Sequence, residues 1–349
     1  MILSEQNLGL TQRYKTVRHQ QAGFTLVELM VGMVIALLAT LAIMQSMSLF
    51  ETQKRTTTGV ADAQTNANVA LYSMTKDLQS AGYGLMFTGR HVDKRSTIDC
   101  TSLSGTGITD EQDLNPATII DGGTGSDAVI VRHAETSFGG LPTKILTKPI
   151  SRTIDVASNL GCKDGDVVIV NKDGDCAITR LQSPAALLGN TVVTLDGNES
   201  VPLPAQLDAT LTCLGAWHTT TYSVSGGNLQ LTLDANAATD TVADIVNMQA
   251  QYGISAAADS NAITSWVDAT GAFGTSMTVG DRNRIKAVRI AVVSRSPKAE
   301  ATDVTASCSM TTPAGLTIDL SADANCKRYR YNIYESVVPL RNMVWSKDS

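Results

Sequence analysis

Aromatic residues make up only 5% of this 349-residue chain, and charged residues only 17%. Charge is sparse and net acidic, at −6, so the basic surface that a bulk nucleic-acid binder needs to meet phosphates is lacking. There are six cysteines but no C-x-x-C pair, which leaves a zinc or thioredoxin-type site without support. The four histidines, His19, His91, His133 and His218, are scattered, and neither H-E-x-x-H nor G-x-S-x-G occurs. No catalytic residue, metal ligand or cofactor site can be assigned on this basis, and a non-enzyme is expected. Repeats, heptad runs and low-complexity linkers are also missing. Disorder is excluded by the 43% apolar content, and the length can bury a sizeable core.

The apolar residues are unevenly placed. Residues 24–44 read FTLVELMVGMVIALLATLAIM and contain one charge, Glu28. About 20 apolar residues in a helix cross the hydrocarbon core of a bilayer. Before the block, residues 1–23 carry Arg13, Lys15 and Arg18 against Glu5. Such a basic flank stays in the cytoplasm, so everything beyond about residue 45 is expected to be translocated. A cleaved secretory signal fits poorly, because the apolar run is too long and no A-x-A follows it. The net charge therefore joins two unlike parts: +2 in the leader, and 24 basic against 32 acidic residues, or −8, after it.

Gly23-Phe24-Thr25-Leu26-Val27-Glu28 resembles the type IV prepilin processing motif. The resemblance implies that a prepilin peptidase cuts after Gly23 and methylates the new N-terminal Phe24. It also implies that Glu28 serves subunit assembly by neutralising a neighbouring subunit's N-terminal amine. A carboxylate in a span costs about 2.5–3.5 kcal/mol even on lenient insertion scales, so it calls for such a partner.

Beyond residue 44 the helical pattern continues. Val60, Ala63, Ala67, Ala70, Leu71, Met74 and Leu78 recur at three- and four-residue spacing. No proline lies between 24 and 80, and Gly82-Tyr83-Gly84 stops the helix. Residues 85–345 then alternate turn signals with β-rich runs: Asp127–Arg132, Asp166–Asn171, Thr191–Leu195, Thr219–Val224, Asn228–Leu233, Val242–Tyr252 and Ile285–Ser294. Ser223–Leu229 reads as a hairpin, and Ile285–Val293 as a central strand covered on both faces. The expected fold is α+β and type IV pilin-like, with a long N-terminal helix packed on an antiparallel sheet head. The expected domains are a cleaved cytoplasmic leader at 1–23, the helix at 24–84, membrane-spanning in its first half, and a periplasmic head at 85–349.

Several head segments are similar to PilW-type minor pilins. They are Gly125–Arg132, Ile245–Gly253 with Ile285–Arg295, and the ending Arg328–Asn332 through Leu340–Asn342. The resemblance implies a minor pilin of a complex that primes pilus assembly and sits at the tip, supporting adhesion and twitching motility. Partners would be the prepilin peptidase, other minor pilins, the major pilin and a tip adhesin. The chain would reside in the inner membrane before assembly and in the extracellular pilus afterwards. Alternatives are a minor pseudopilin of type II secretion, which gene neighbours would separate, and a DNA-uptake pilin, which the acidic balance disfavours.

All six cysteines lie on the translocated side, where disulfides form. Several connectivities are open. Local brackets favour Cys162–Cys176 and Cys308–Cys326, leaving Cys100 with Cys213. Asp164-Gly-Asp166 and Asp173-Gly-Asp175 lack EF-hand spacing and read as turns. Gly123–Ala128 precedes a strand and cannot cradle a pyrophosphate. The basic cluster Arg282, Arg284, Lys286 and Arg289 lacks interleaved aromatics and reads as solvation or salt bridging.

Overall fold

The computed structural model describes residues 23–85, 102–105, 114–136, 140–147, 152–172, 175–184, 192–195, 209–234 and 236–345. One helix runs unbroken over Leu26–Ser80. Thr25 opens it: its Oγ1 accepts from Glu28 N at 3.3 Å and its carbonyl from Leu29 N at 3.2 Å. Gly82 ends it at φ +74°, where a β-carbon would sit 2.9 Å from Pro116 Cγ. The Asn342 side-chain amide donates to the carbonyls of Ser80 and Ala81, at 3.4 and 2.8 Å, so part of the C-cap comes from far along the chain.

The chain divides into two compact units, one ending at Arg55 and the other beginning at Thr56. The division falls inside the helix because of what its later turns bury. Ala63, Ala67, Ala70, Leu71, Met74 and Leu78 are buried and Val60 is half-buried. This is the stripe that the spacing predicts.

In the second unit, a four-stranded antiparallel sheet has the spatial order Ile263–Val267, Ile245–Ser255, Ile285–Arg295, Tyr331–Pro339. Ile285–Arg295 is central. Its Val288, Ile290 and Val292 share the main core with Met74 and Leu78, while Val293 packs on the opposite face with Ile318, Leu320 and Cys326. The expected double covering thus has two agents, the helix on one side and the 308–326 segment on the other.

A larger sheet is built around Thr210–Ser225. Residues 210–215 pair with Val167–Lys172, and residues 216–222 pair with Ala128–Glu135. Gly215, at φ +75°, marks the change of partner, and a β-carbon there would collide with the carbonyl of Glu135. Asn228–Leu233 closes the expected hairpin through Gly226 and Gly227, both at positive φ. Ser102–Gly105 pairs in parallel with the strand starting at Asp175; the other described ladders are antiparallel.

Three findings correct the sequence reading. First, Val242–Tyr252 is not one strand. Asp244 takes φ +58° and divides Thr239–Ala243 from Ile245–Ser255, which join different sheets. Second, the head has a separate core around Ile145, Ile154, Val156, Val168, Val170, Leu181, Val193 and Leu211. Val167 and Ile169 face the main core while Val168 and Val170 face this other one, so the strand is buried on both sides. Third, Cys162 bonds Cys213 and not Cys176. Cys162 and Cys213 belong to the separate core whereas Cys176 lies in the main core, on the other side of the sheet. The expected Cys100–Cys213 pair is thereby excluded. Cys176 is also disulfide-bonded, and Cys100 lies outside the described residues. Cys308 bonds Cys326.

Candidate assembly surface

Among the described residues, the N-terminal half of the helix is exposed throughout. Phe24 is 82% exposed and Phe50 69%, and nearly every large apolar side chain described between them is exposed by half or more. Leu26–Ser80 is, among the described residues, the helix long and apolar enough to cross a membrane. Exposing this much contiguous apolar surface to water is costly, and such patches mark membrane or protein contacts. Glu28 lies exposed one turn into the helix, its backbone N–H held by Thr25. Gly23 has open space around it: a β-carbon would meet nothing within 4 Å.

The head motifs turn out to be joints. Asp127 is buried, and its carboxyl accepts from Gly122 N at 2.9 Å and Ala250 N at 2.7 Å. Ser126 Oγ accepts from Met248 N at 3.0 Å, and the Gln249 amide donates to the Gly125 carbonyl at 2.6 Å. The Gly125-Ser126-Asp127 turn therefore stitches the large sheet to the strand Ile245–Ser255 of the small one. Burial pushes the Asp127 carboxyl up to about 6, against the pull of its two N–H donors, and Asp121 and Asp268 add to the rise. A cleft of about 270 Å³ opens beside it, lined by Asp121, Gln249, Gln251, Asp268 and Thr317 among others. Among the described residues, no three His, Cys, Asp or Glu side chains are placed to hold a metal ion.

The later motif segments do similar work. Tyr252 accepts from Ile119 N at 2.6 Å through its hydroxyl. Gly253 carries no β-carbon because the Trp266 ring lies where one would be, 2.9 Å away. Arg328 Nε donates to the Glu300 carbonyl at 2.7 Å, and Arg330 pairs with the Glu300 carboxylate at 3.3 Å. The basic cluster faces protein. Lys286 donates to the Ala258 carbonyl at 3.0 Å, and Arg284 to the Ser255 carbonyl at 3.0 Å. Arg289 stacks 4.0 Å over Trp266, and Arg282 is 1% exposed. Asp164-Gly165-Asp166 is a turn in which Asp166 accepts from Lys163 N at 2.7 Å; Asp173 lies outside the described residues, as do His19 and His91. Sequence reasoning did not find the Asn342 cap, although it sits inside a segment that the sequence singled out.

Residues 18–44 match the prokaryotic N-terminal methylation motif, and residues 220–342 match the family described as type IV pilus-assembly protein W. The first match holds Gly23, Phe24 and Glu28. The second runs from the hairpin to the helix cap and leaves out Gly125–Arg132. No curated protein matches the chain. A type IV-like pilin of Thermus thermophilus is similar at 11% identity over 81% of this chain and 98% of its own, with a TM-score of 0.33.

Proposed function

We propose that this chain is a type IV pilin-like protein of the PilW kind, a low-copy minor pilin that primes pilus assembly and remains at the tip, supporting adhesion and twitching motility. The observation that carries this reading is the exposed apolar first half of the helix, with Glu28 as the one carboxylate between residues 24 and 50, ahead of a segment that matches the PilW family. In the membrane the leader, residues 1–23, would stay in the cytoplasm and the head, residues 85–349, would face the periplasm. A prepilin peptidase would cut between Gly23 and Phe24 and methylate Phe24. The Glu28 carboxylate would then meet the N-terminal amine of a neighbouring minor or major pilin, an ion pair that holds tightly in an apolar bundle because each charge is costly there alone. Head-side partners would include a tip adhesin.

Glu28→Ala tests the reading. Expected is a normal amount in the membrane fraction and at least about a fivefold fall in sheared pili, since one charge pair in an apolar medium outweighs about 1 kcal/mol. Unchanged incorporation would remove the assigned role of Glu28. Labelled subunits spaced along the whole shaft would remove the tip assignment.

A further inference from the structure

His133 and His218 stand directly opposite one another on the strands Ala128–Glu135 and Thr210–Ser225, with ring centroids 5.6 Å apart. Their surroundings differ. His218 lies between two carboxylates: its Nε2 is 3.3 Å from Glu135 Oε2, and its Nδ1 is 3.3 Å from Asp234 Oδ2. His133 is half-buried, and its Nδ1 is buried without a hydrogen-bond partner. The ionisable groups facing His133 among the described residues are Asp77 on the helix, Glu135 on its own strand, Asp234 after the hairpin, and His218. Asp77 is engaged by the Tyr222 hydroxyl at 2.6 Å.

The backbone on either side of His133 carries the end of the helix. Gly82 N donates to the Arg132 carbonyl at 2.8 Å, and Ala134 N donates to the Tyr83 carbonyl at 2.9 Å. Gly84 packs so closely that a β-carbon would sit 2.6 Å from Ala134 Cβ. A shift of His133 cannot spare these contacts.

We propose that the His133–His218 pair is an acid-sensitive latch: when both rings carry a proton, His133 leaves its place and residues 80–85 come free of the strand Ala128–Glu135. An imidazolium at His218 can donate to a carboxylate from each nitrogen. A proton on His133 finds no such reception. It puts a charge where burial is unfavourable and adds a buried N–H donor without an acceptor, beside a second cation. Burial first, and then His218, hold His133 below the usual imidazole range. The folded head therefore prefers neutral His133. Its contribution to stability is present above about pH 6.5 and is lost as pH falls below that toward the lowered folded value.

Hydrogen exchange of the full-length chain in detergent tests this, at about pH 7.5 and about pH 5, with intrinsic rates corrected. Peptides covering 80–85 and 128–135 should lose about tenfold in protection on acidification, relative to Ile285–Arg295. His133→Phe keeps a ring in the pocket and should abolish the loss. His218→Gln, which removes the neighbouring ring and leaves the pocket intact, should make the loss smaller, because one of the two causes that hold His133 low is gone. Unchanged protection in the wild type overturns the proposal, and so does an identical loss in both variants. If His133→Phe fails to fold, the size of the loss in His218→Gln decides alone: a loss equal to the wild type's overturns the proposal.

Discussion

Asp127 joins two sheets with one carboxyl group, and the cost appears in its protonation. Its folded value of about 6 lies above the ordinary carboxylate value of 3.8. The folded head thus binds this proton more tightly than the unfolded chain does. Stability from this residue is greatest below about pH 4 and declines as pH rises toward about 6. Asp127→Asn has no such titration, and it leaves one of the two backbone donors facing an amide N–H. It should cost about 1–3 kcal/mol near pH 4 and less near pH 7, read by chemical unfolding of wild type and variant at each pH. A gap independent of pH would show that the carboxyl is not buried in the folded head. The turn containing Asp127 was legible in the sequence as Gly-Ser-Asp before an apolar run. Its partner was not, since Ala250 lies 123 residues away and contributes only a backbone N–H.

At the level of elements, the helix could be read in most detail. Spacing of three and four named its buried face, and glycines named its end. Met74 sits fully buried in that face. Met74→Ala should therefore destabilise the head by about 2–5 kcal/mol in denaturant unfolding, through lost burial and the cavity left behind. Strands were legible as runs, but which core each side chain would enter was not. The run Val167–Val170 is apolar at every position, so alternation carried no signal. The cysteine error has the same origin. A bracket of 14 positions made Cys162 and Cys176 look like neighbours, whereas the sheet between them sends the two side chains to opposite faces. Non-reducing peptide mapping should recover a Cys162–Cys213 peptide; a Cys162–Cys176 peptide would contradict the sheet register. Removing that bond with Cys162→Ala and Cys213→Ala should cost about 2–5 kcal/mol.

For the molecule as a whole, the match to the N-terminal methylation motif was legible in the sequence, because a glycine, a phenylalanine and an acid within an apolar run occur together where ordinary anchors have no use for them. The same features permit a clean test of processing. A β-carbon at Gly23 would meet nothing within 4 Å beyond its chain neighbours, so Gly23→Val is expected to leave the described fold undisturbed. Intact-mass measurement should find the wild-type chain starting at a methylated Phe24 and the variant retaining residues 1–23. A processed variant would mean that the cut does not depend on this glycine.

The helix cap has a consequence in time. Asn342 reaches back across 262 residues to the carbonyl of Ser80. A chain delivered N-terminus first presents its apolar helix at once, but the last carbonyls of that helix gain this partner only when almost the whole head has emerged. Contacts of such long range form slowly. The cap is therefore an arrival signal: until it closes, the end of the helix is held by fewer bonds, and a truncated or stalled head lacks that lock.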